Sequence, residues 1–271
     1  RQMCIRDRFL FLLFLILFFK IDVYGQFAYG TTGLLHMPTA EMQKDKTFMF
    51  GGSVLNPETL PSKEWWGNYY TFNYYLNITI FPWLEVGYNC VLVKGKPGIY
   101  HWPEQTYGKF VNQDRSFHGR LRVWKEGWWK DWTPQIVIGA NDPTTGSWEG
   151  GSSSDDQRYN GFFCRYYVAL TKHIEFADYG TLGGHAAYVY NRKEINHLNG
   201  PALGANYRFC LPEISFLNKI LNGVNLMIEY DSKQVNIGGC YSFWKDRINI
   251  YGELYKCIHP SVGLNFKICL K

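Results

Sequence analysis

The sequence has no run of about 20 apolar residues, the length an α-helix needs to cross a bilayer. Its longest run, FLFLLFLILFF at residues 9 to 19, stops at eleven. No block of lysine and arginine stands out, and the net charge is a modest +5 with 19% charged residues. That balance describes a mixed surface and leaves no nucleic-acid partner to expect. Seven cysteines occur (Cys4, Cys90, Cys164, Cys210, Cys240, Cys257 and Cys269), yet none forms a CxxC and none has zinc-site spacing to a histidine. P-loop, flavin and metal-ligand fingerprints are missing, so no cofactor and no metal are expected.

What the chain does have is aromatics, at 18%, with 20 Tyr, 19 Phe and 10 Trp. Aromatic girdles at membrane interfaces are one cause of such a load. The mean hydropathy of −0.25 is compatible with this, because strands of a membrane barrel are only half apolar. The stretch 68–87, NYYTFNYYLNITIFPWLEVG, shows the pattern most clearly. Phe72, Tyr74, Leu76, Ile78 and Ile80 fall on one face, and Asn73, Tyr75, Asn77 and Thr79 on the other. Phe81-Pro82-Trp83 breaks the run, and alternation resumes at Leu84.

The N-terminal region is punctuated differently. Arg6 and Arg8, the apolar run, and Val23-Tyr24-Gly25 before Gln26 fit a secretory signal peptide over residues 1–25, cleaved near Gly25/Gln26. Cys4 precedes the apolar run and so is not placed as an acylation site. The opening RQMCIRDR resembles translated sequencing-adapter text, which puts the true start near Arg8. Residues 26–46 read as a plug-like or periplasmic segment ahead of a barrel over 47–271. In it Pro38-Thr39-Ala40-Glu41 suggests a short helical turn capped by Thr39, and His36 reads as an isolated packed or solvated histidine.

Twelve strand-like runs follow: Thr47–Leu55, Tyr69–Phe81, Trp83–Val93, Asp114–Lys125, Thr133–Asn141, Tyr159–Thr171, Tyr179–Tyr190, Pro201–Cys210, Val224–Asp231, Val235–Trp244, Arg247–Cys257 and Ser261–Leu270. Odd connections such as Asn56–Asn68, Lys94–Gln113, Asp142–Arg158 and Asn191–Gly200 are long and polar. Even ones are mostly tight, apart from Leu211–Gly223, which has room for a short helix. Long and short connections alternating in this way fit an outer-membrane barrel. Charges on the strands oppose the apolar rows, as in a lumen, whereas a soluble sandwich would carry a charge-rich outer face. The expected fold is therefore all-β, an antiparallel transmembrane β-barrel of about 12 strands in the outer membrane, with lipid as its surroundings.

Several segments, taken in order, resemble a known family. They are Gly30-x-x-Gly33-Leu34-Leu35-x-x-Pro38-Thr39-Ala40, Phe81 to Gly87, Asp114-Arg115-Ser116-Phe117, PQIVIGAN from Pro134 running into Asp142, Thr145 and Gly146, and Tyr166 to Lys172. Together they are similar to the YjbH-like outer-membrane proteins, over roughly Gly30 to Gly184. His118 departs from the pattern, standing where an acidic residue is expected, and the chain is much shorter than long members. The resemblance implies an outer-membrane β-protein associated with exopolysaccharide or capsule genes. Its expected role is a non-enzymatic component of export or assembly, with polysaccharide and periplasmic export proteins as partners. The alternative is a small porin or structural outer-membrane protein without a sugar role. A third is a lipid-acting barrel enzyme using Ser116 and His118.

Two sets of residues are candidates for function. Asp114, Arg115, Arg120, Arg122, Glu126, Asp142, Arg165, Glu229 and Glu253 are expected to form a lumen charge network, opposite charges pairing because lone ones are costly in a narrow interior. Trp65, Trp66, Tyr100 and Trp102, in loops of the odd set, offer flat faces for stacking on sugar rings. Trp128, Trp129 and Trp132, on an even turn, read as interface girdle. The Gly- and Ser-rich stretch 150–156 reads as a mobile loop tip.

Overall fold

In the computed structural model, residues 29–98, 102–143, 162–191 and 198–270 are described. Twelve strands form one sheet: β1 (Thr47–Leu55), β2 (Thr71–Phe81), β3 (Leu84–Lys94), β4 (Phe110–Trp124), β5 (Gln135–Asn141), β6 (Arg165–Phe176), β7 (Gly180–Tyr190), β8 (Gly200–Phe209), β9 (Val224–Tyr230), β10 (Val235–Phe243), β11 (Ile248–Tyr255) and β12 (His259–Cys269). Each pairs antiparallel with its sequence neighbours, and β1 pairs with β12, from Thr47↔Cys269 to Val54↔Val262, to close the barrel. At that seam the Leu270 amide donates to the Lys46 carbonyl at 2.8 Å, and the Lys46 amide donates to Thr79 O at 2.8 Å. Closure leaves no unpaired strand edge.

Alternation does what period 2 dictates. On β2, Phe72, Tyr74, Leu76 and Ile80 are exposed on the outside while Asn73, Tyr75, Asn77 and Thr79 are buried inside. The same division runs round the wall: Phe117, Val168, Leu203, Ile228, Ile250 and Leu264 face out. Ser116, Arg165, Glu229, Asn249 and Asn265 face in. The interior is thus polar, and neighbouring strands tie it together by side-chain amides. Asn73 Nδ2 donates to Asn89 Oδ1 at 3.1 Å, Asn206 Nδ2 to Asn225 Oδ1 at 3.0 Å, and Asn249 Nδ2 to Asn265 Oδ1 at 2.9 Å.

The turn between β2 and β3 is only Pro82-Trp83, with the rings of Phe81 and Trp83 stacked at 5.1 Å. The opposite end holds the long connections 56–70, 95–109, 142–164 and 191–199. The first of these carries helix α1 (Lys63–Trp66), with the Ser62 hydroxyl accepting from the Trp65 amide. Two odd connections, 231–234 and 256–258, are tight, so the loop parity is carried by the other four. Among the even connections, 210–223 contains helix α2 (Phe216–Leu221), capped by Ser215.

Three expectations are corrected. The sixth strand starts at Arg165 and runs on through His173 to Phe176, six residues later than Tyr159 at one end and five beyond Thr171 at the other. Phe162 and Phe163, which alternation assigned to it, are buried ahead of the strand against other aromatic rings. The helical turn expected at Pro38–Glu41 is not formed, because barrel side chains satisfy that backbone instead, as described below. Residues 1–28, including the expected signal peptide and Cys4, lie outside the described residues, as do Tyr100, Thr145, Gly146 and the stretch 150–156.

Candidate functional site in the barrel interior

Residues 29–43 form no helix or strand, yet every one is buried. An irregular buried segment must find partners for each amide and carbonyl. Internally it has a Gly33↔Pro38 bridge and a Leu34 amide donating to Met37 O at 3.2 Å. The barrel wall supplies the rest, which makes the segment a plug seated in the lumen.

The wall of β3 to β6 offers cations and donors. Arg120, 1% exposed, donates to Thr39 O at 2.5 Å and Glu41 O at 2.9 Å through one amino group and to Glu85 Oε1 at 3.2 Å through the other. Glu85 in turn accepts from the Thr32 amide (3.1 Å), the Thr32 hydroxyl (2.7 Å) and Asn77 Nδ2 (2.8 Å). Arg165 is fully buried, donating to His36 O at 2.8 Å and Asn141 Oδ1 at 2.8 Å, with Tyr29 stacked 3.4 Å from its guanidinium carbon. Gln135 donates to Ala40 O, and the Thr171 hydroxyl accepts from the Ala40 amide at 2.9 Å. These bonds replace the helical turn at Pro38–Glu41.

The wall of β9 to β11 offers carboxylates. Three successive plug amides, Leu35, His36 and Met37, donate to the Glu229 carboxylate at 3.0 to 3.1 Å. Such a run of consecutive amides is a ready anion cradle. His36 Nε2 lies 2.7 Å from Glu253 Oε2, and its ring packs edge-on to Tyr255. Burial works against a charged His36, but Glu253, Glu229 and Asp231 outweigh it and raise the pKa to about 9. His36 is thus packed, one of the two readings expected of it, but it sits against Glu253 rather than in isolation.

Shape reinforces chemistry. A Cβ on Gly204 of β8 would collide with Leu34 and approach Met37 Sδ to 2.7 Å. One on Gly238 of β10 would lie 2.6 Å from Leu35 Cδ2. These glycines are notches that admit the plug's apolar side chains.

The mouth with the short turns has a further tie. His173 Nδ1 contacts Glu126 Oε2 at 2.7 Å and its Nε2 contacts Glu41 Oε1 at 3.1 Å, while Lys172 Nζ is 2.9 Å from Glu126 Oε1. Burial would raise the Glu126 pKa, but the bonds from His173 and Lys172 win and lower it. Above the plug, at the long-connection end, Trp66 meets Phe162 at 4.9 Å and Phe163 at 5.7 Å, and Phe163 meets Tyr29 at 5.6 Å.

Of the expected charge network, the structure brings Arg120, Arg165, Glu229 and Glu253 onto the plug, and Glu126 to its edge through His173. Asp114 and Arg122 lie half-buried on the inner-facing side of β4, and Asp142 is buried just beyond β5 with φ at +49°. Arg115 is corrected: it shares the outward face of β4 with Phe117 and is exposed, because odd positions of that strand point out. Trp66 is corrected too. It is 1% exposed with its ring enclosed by Phe162 and Phe163, so it has no face free for a sugar. Trp65 and Trp102 are half-buried, 6.4 Å apart. Trp128, Trp129 and Trp132 stand exposed on the connection after β4. Sequence reasoning missed Glu85, His36, Glu41, His173 and Thr32. For Glu85, its phase with Asn77 across the Pro82-Trp83 turn was the available signal. The Ser116 hydroxyl donates to Asn89 O at 3.5 Å, and neither His118 ring nitrogen has a hydrogen-bond partner among the described residues, so the two are not a bonded pair.

A porin of Rh. blastica, as a mutant form, aligns with a TM-score of 0.27 and 9% identity, over 83% of this chain and 75% of that one. The "Uncharacterized lipoprotein YjbH" of Escherichia coli (strain K12) is 30% identical over 192 residues. That match takes in 71% of this chain and 22% of the relative, so the chain spans about a fifth of the relative's length. Residues 25–196 match the YjbH family, described as "Exopolysaccharide biosynthesis protein YbjH", and with more than half of its length inside that match the chain belongs to this family.

Proposed function

We propose that this chain is an outer-membrane barrel acting as a non-enzymatic component of exopolysaccharide export or assembly, working with periplasmic partners. The observation that carries the reading is a closed barrel, apolar outside and polar inside, in a family described by exopolysaccharide biosynthesis. The exposed aromatics Trp83, Trp128, Trp129, Trp132 and Trp244 at the short-turn end support a bilayer boundary there. With that end periplasmic, residues 29–43 enter from the periplasm and fill the lumen. The filled lumen favours a closed resting state over a general porin.

Deleting the gene in a producing strain should reduce surface polysaccharide, and unchanged polysaccharide would sink the reading. In planar bilayers the chain should conduct weakly; a large, steady conductance would instead favour the porin alternative. The interior Ser116 and His118 give little support to lipid chemistry, and activity on lipid that vanished in Ser116→Ala would revive the enzyme.

A further inference from the structure

We propose that the inner wall of β3 to β6 is a binding site for carboxylate-bearing saccharide of the uronate type, and that residues 29–43 occupy it as a surrogate ligand. The ligand class rests on the export reading above; the site itself rests on side chains.

Two adjacent rungs of the sheet carry it. One runs Glu85, Arg120, Gly139, Tyr167 and the next Gly87, His118, Asn141, Arg165. Both guanidiniums on these rungs are buried and hold main-chain oxygens of the plug, those of Thr39, Glu41 and His36. A carbonyl oxygen is a neutral acceptor. Guanidinium binds a carboxylate more strongly, because the bond is charge-assisted and the planar fork matches two oxygens. The plug and wall therefore hold Arg165 with weaker, neutral acceptors than the one it fits best, while Arg120 keeps one carboxylate, Glu85, on its other amino group.

A second observation is independent of the arginines. His118, on the same wall, is 5% exposed, and both its ring nitrogens are without hydrogen-bond partners among the described residues. A buried polar ring left unbonded marks spare recognition capacity in a polar interior. Beside it on the sheet stand neutral hydrogen-bonding groups, its pairing partner Asn141 and, one inward position along β3 from Gly87, Asn89, of the kind that suit sugar hydroxyls.

The opposite wall makes the exchange directional. Glu229, Asp231 and Glu253 repel an anion and keep hold of the plug's amides and of His36. An acidic saccharide thus displaces the plug's carbonyls from β4 and β6 while the plug stays docked on β9 and β11.

The test uses the full chain in detergent or nanodiscs with Leu34 and Leu35 both changed to Ala. This loosens the plug from its glycine notches and leaves every charged group in place. Oligogalacturonate should bind this variant about tenfold more tightly than a neutral dextran oligomer of equal length, as expected for charge-assisted over neutral acceptors. Adding Arg165→Gln should abolish that preference, and the parent chain should bind the acidic oligomer more weakly than the loosened one. Equal binding of both oligomers would overturn the site, as would a preference that survives Arg165→Gln or competition by inorganic phosphate at equal charge. Heat-modifiable migration in gels reports barrel folding for each variant. If the double Leu variant does not fold, Glu229→Gln loosens the plug from the other wall with the same expected outcomes. Loss of surface polysaccharide on deletion without acidic preference would leave the export role standing and remove the site. Acidic preference with intact polysaccharide would keep the site and remove the export role.

Discussion

At the residue scale, what is unusual is how the buried charges are satisfied. Glu85 and Arg120 pair with each other at 3.2 Å, but Glu85 also takes the Thr32 amide and hydroxyl and Arg120 two plug carbonyls. Removing one member of a buried pair strands the other, at a cost of about 3–5 kcal/mol. Arg120→Ala should therefore lower the temperature of heat-modifiable unfolding strongly, while the exposed Arg115→Ala should leave it within error. His36 supplies a pH signature. It faces Glu253 and Tyr255 from β11, Glu229 from β9, Asp231 just after β9, and Arg165 at its carbonyl. Its pKa is raised to about 9, so its contribution to plug docking is full below about 6.5 and fades as pH rises through about 9. Amide exchange of residues 34–37 should quicken over that interval, and His36→Gln should flatten the profile. Alternation put Arg120, Arg165, Glu229 and Glu253 indoors in the sequence. Their plug partners were not legible, because these, main-chain atoms for Arg120, Arg165 and Glu229 and the His36 ring for Glu253, belong to a segment with no period of its own.

At the scale of elements, the plug and the notched wall are complementary surfaces. Gly204→Val should push Leu34 out of its seat and raise ion conductance in bilayers, with the barrel still heat-modifiable; an unchanged, low conductance would show that Leu34 does not lock the plug. Strand positions were readable wherever alternation ran between clear breaks, as in β2 and β3 around Pro82-Trp83. They slipped at β6, since Phe162 and Cys164 continue the apolar phase of Tyr166 and Val168 although both are buried ahead of the strand, Phe162 in a cap at the long-connection end. Helix α1 was illegible for a related reason. Its two tryptophans look like surface binders in a polar loop, and only the fold brings Phe162 and Phe163 onto Trp66.

For the whole molecule, loop parity and the apolar rows were enough to infer a barrel, since these are properties of the complete strand set. The ring of exposed tryptophans at one end should fix its depth in a bilayer. Changing Trp128, Trp129 and Trp132 together to Ala should weaken recovery in vesicles and leave the fold intact, measured by flotation and by heat-modifiable migration. Retained flotation would show that the apolar band alone sets the position.

The seam between β1 and β12 carries a consequence for how the molecule is made. The plug leads directly into β1 at Lys46, and β1 is also the strand that the last one must find, across more than 200 residues of chain. Such a distant pairing is the slowest to form. While it is open, the sheet is an unrolled surface bearing acids at β9 and β11 and arginines at β4 and β6, with the plug tethered at its edge. A peptide that grips both halves of that surface draws them into a cylinder. Residues 29–43 are therefore expected to serve as a mandrel for the wall that holds them on both sides, so a chain lacking them should close its barrel more slowly, read from the rate at which the heat-modifiable form appears.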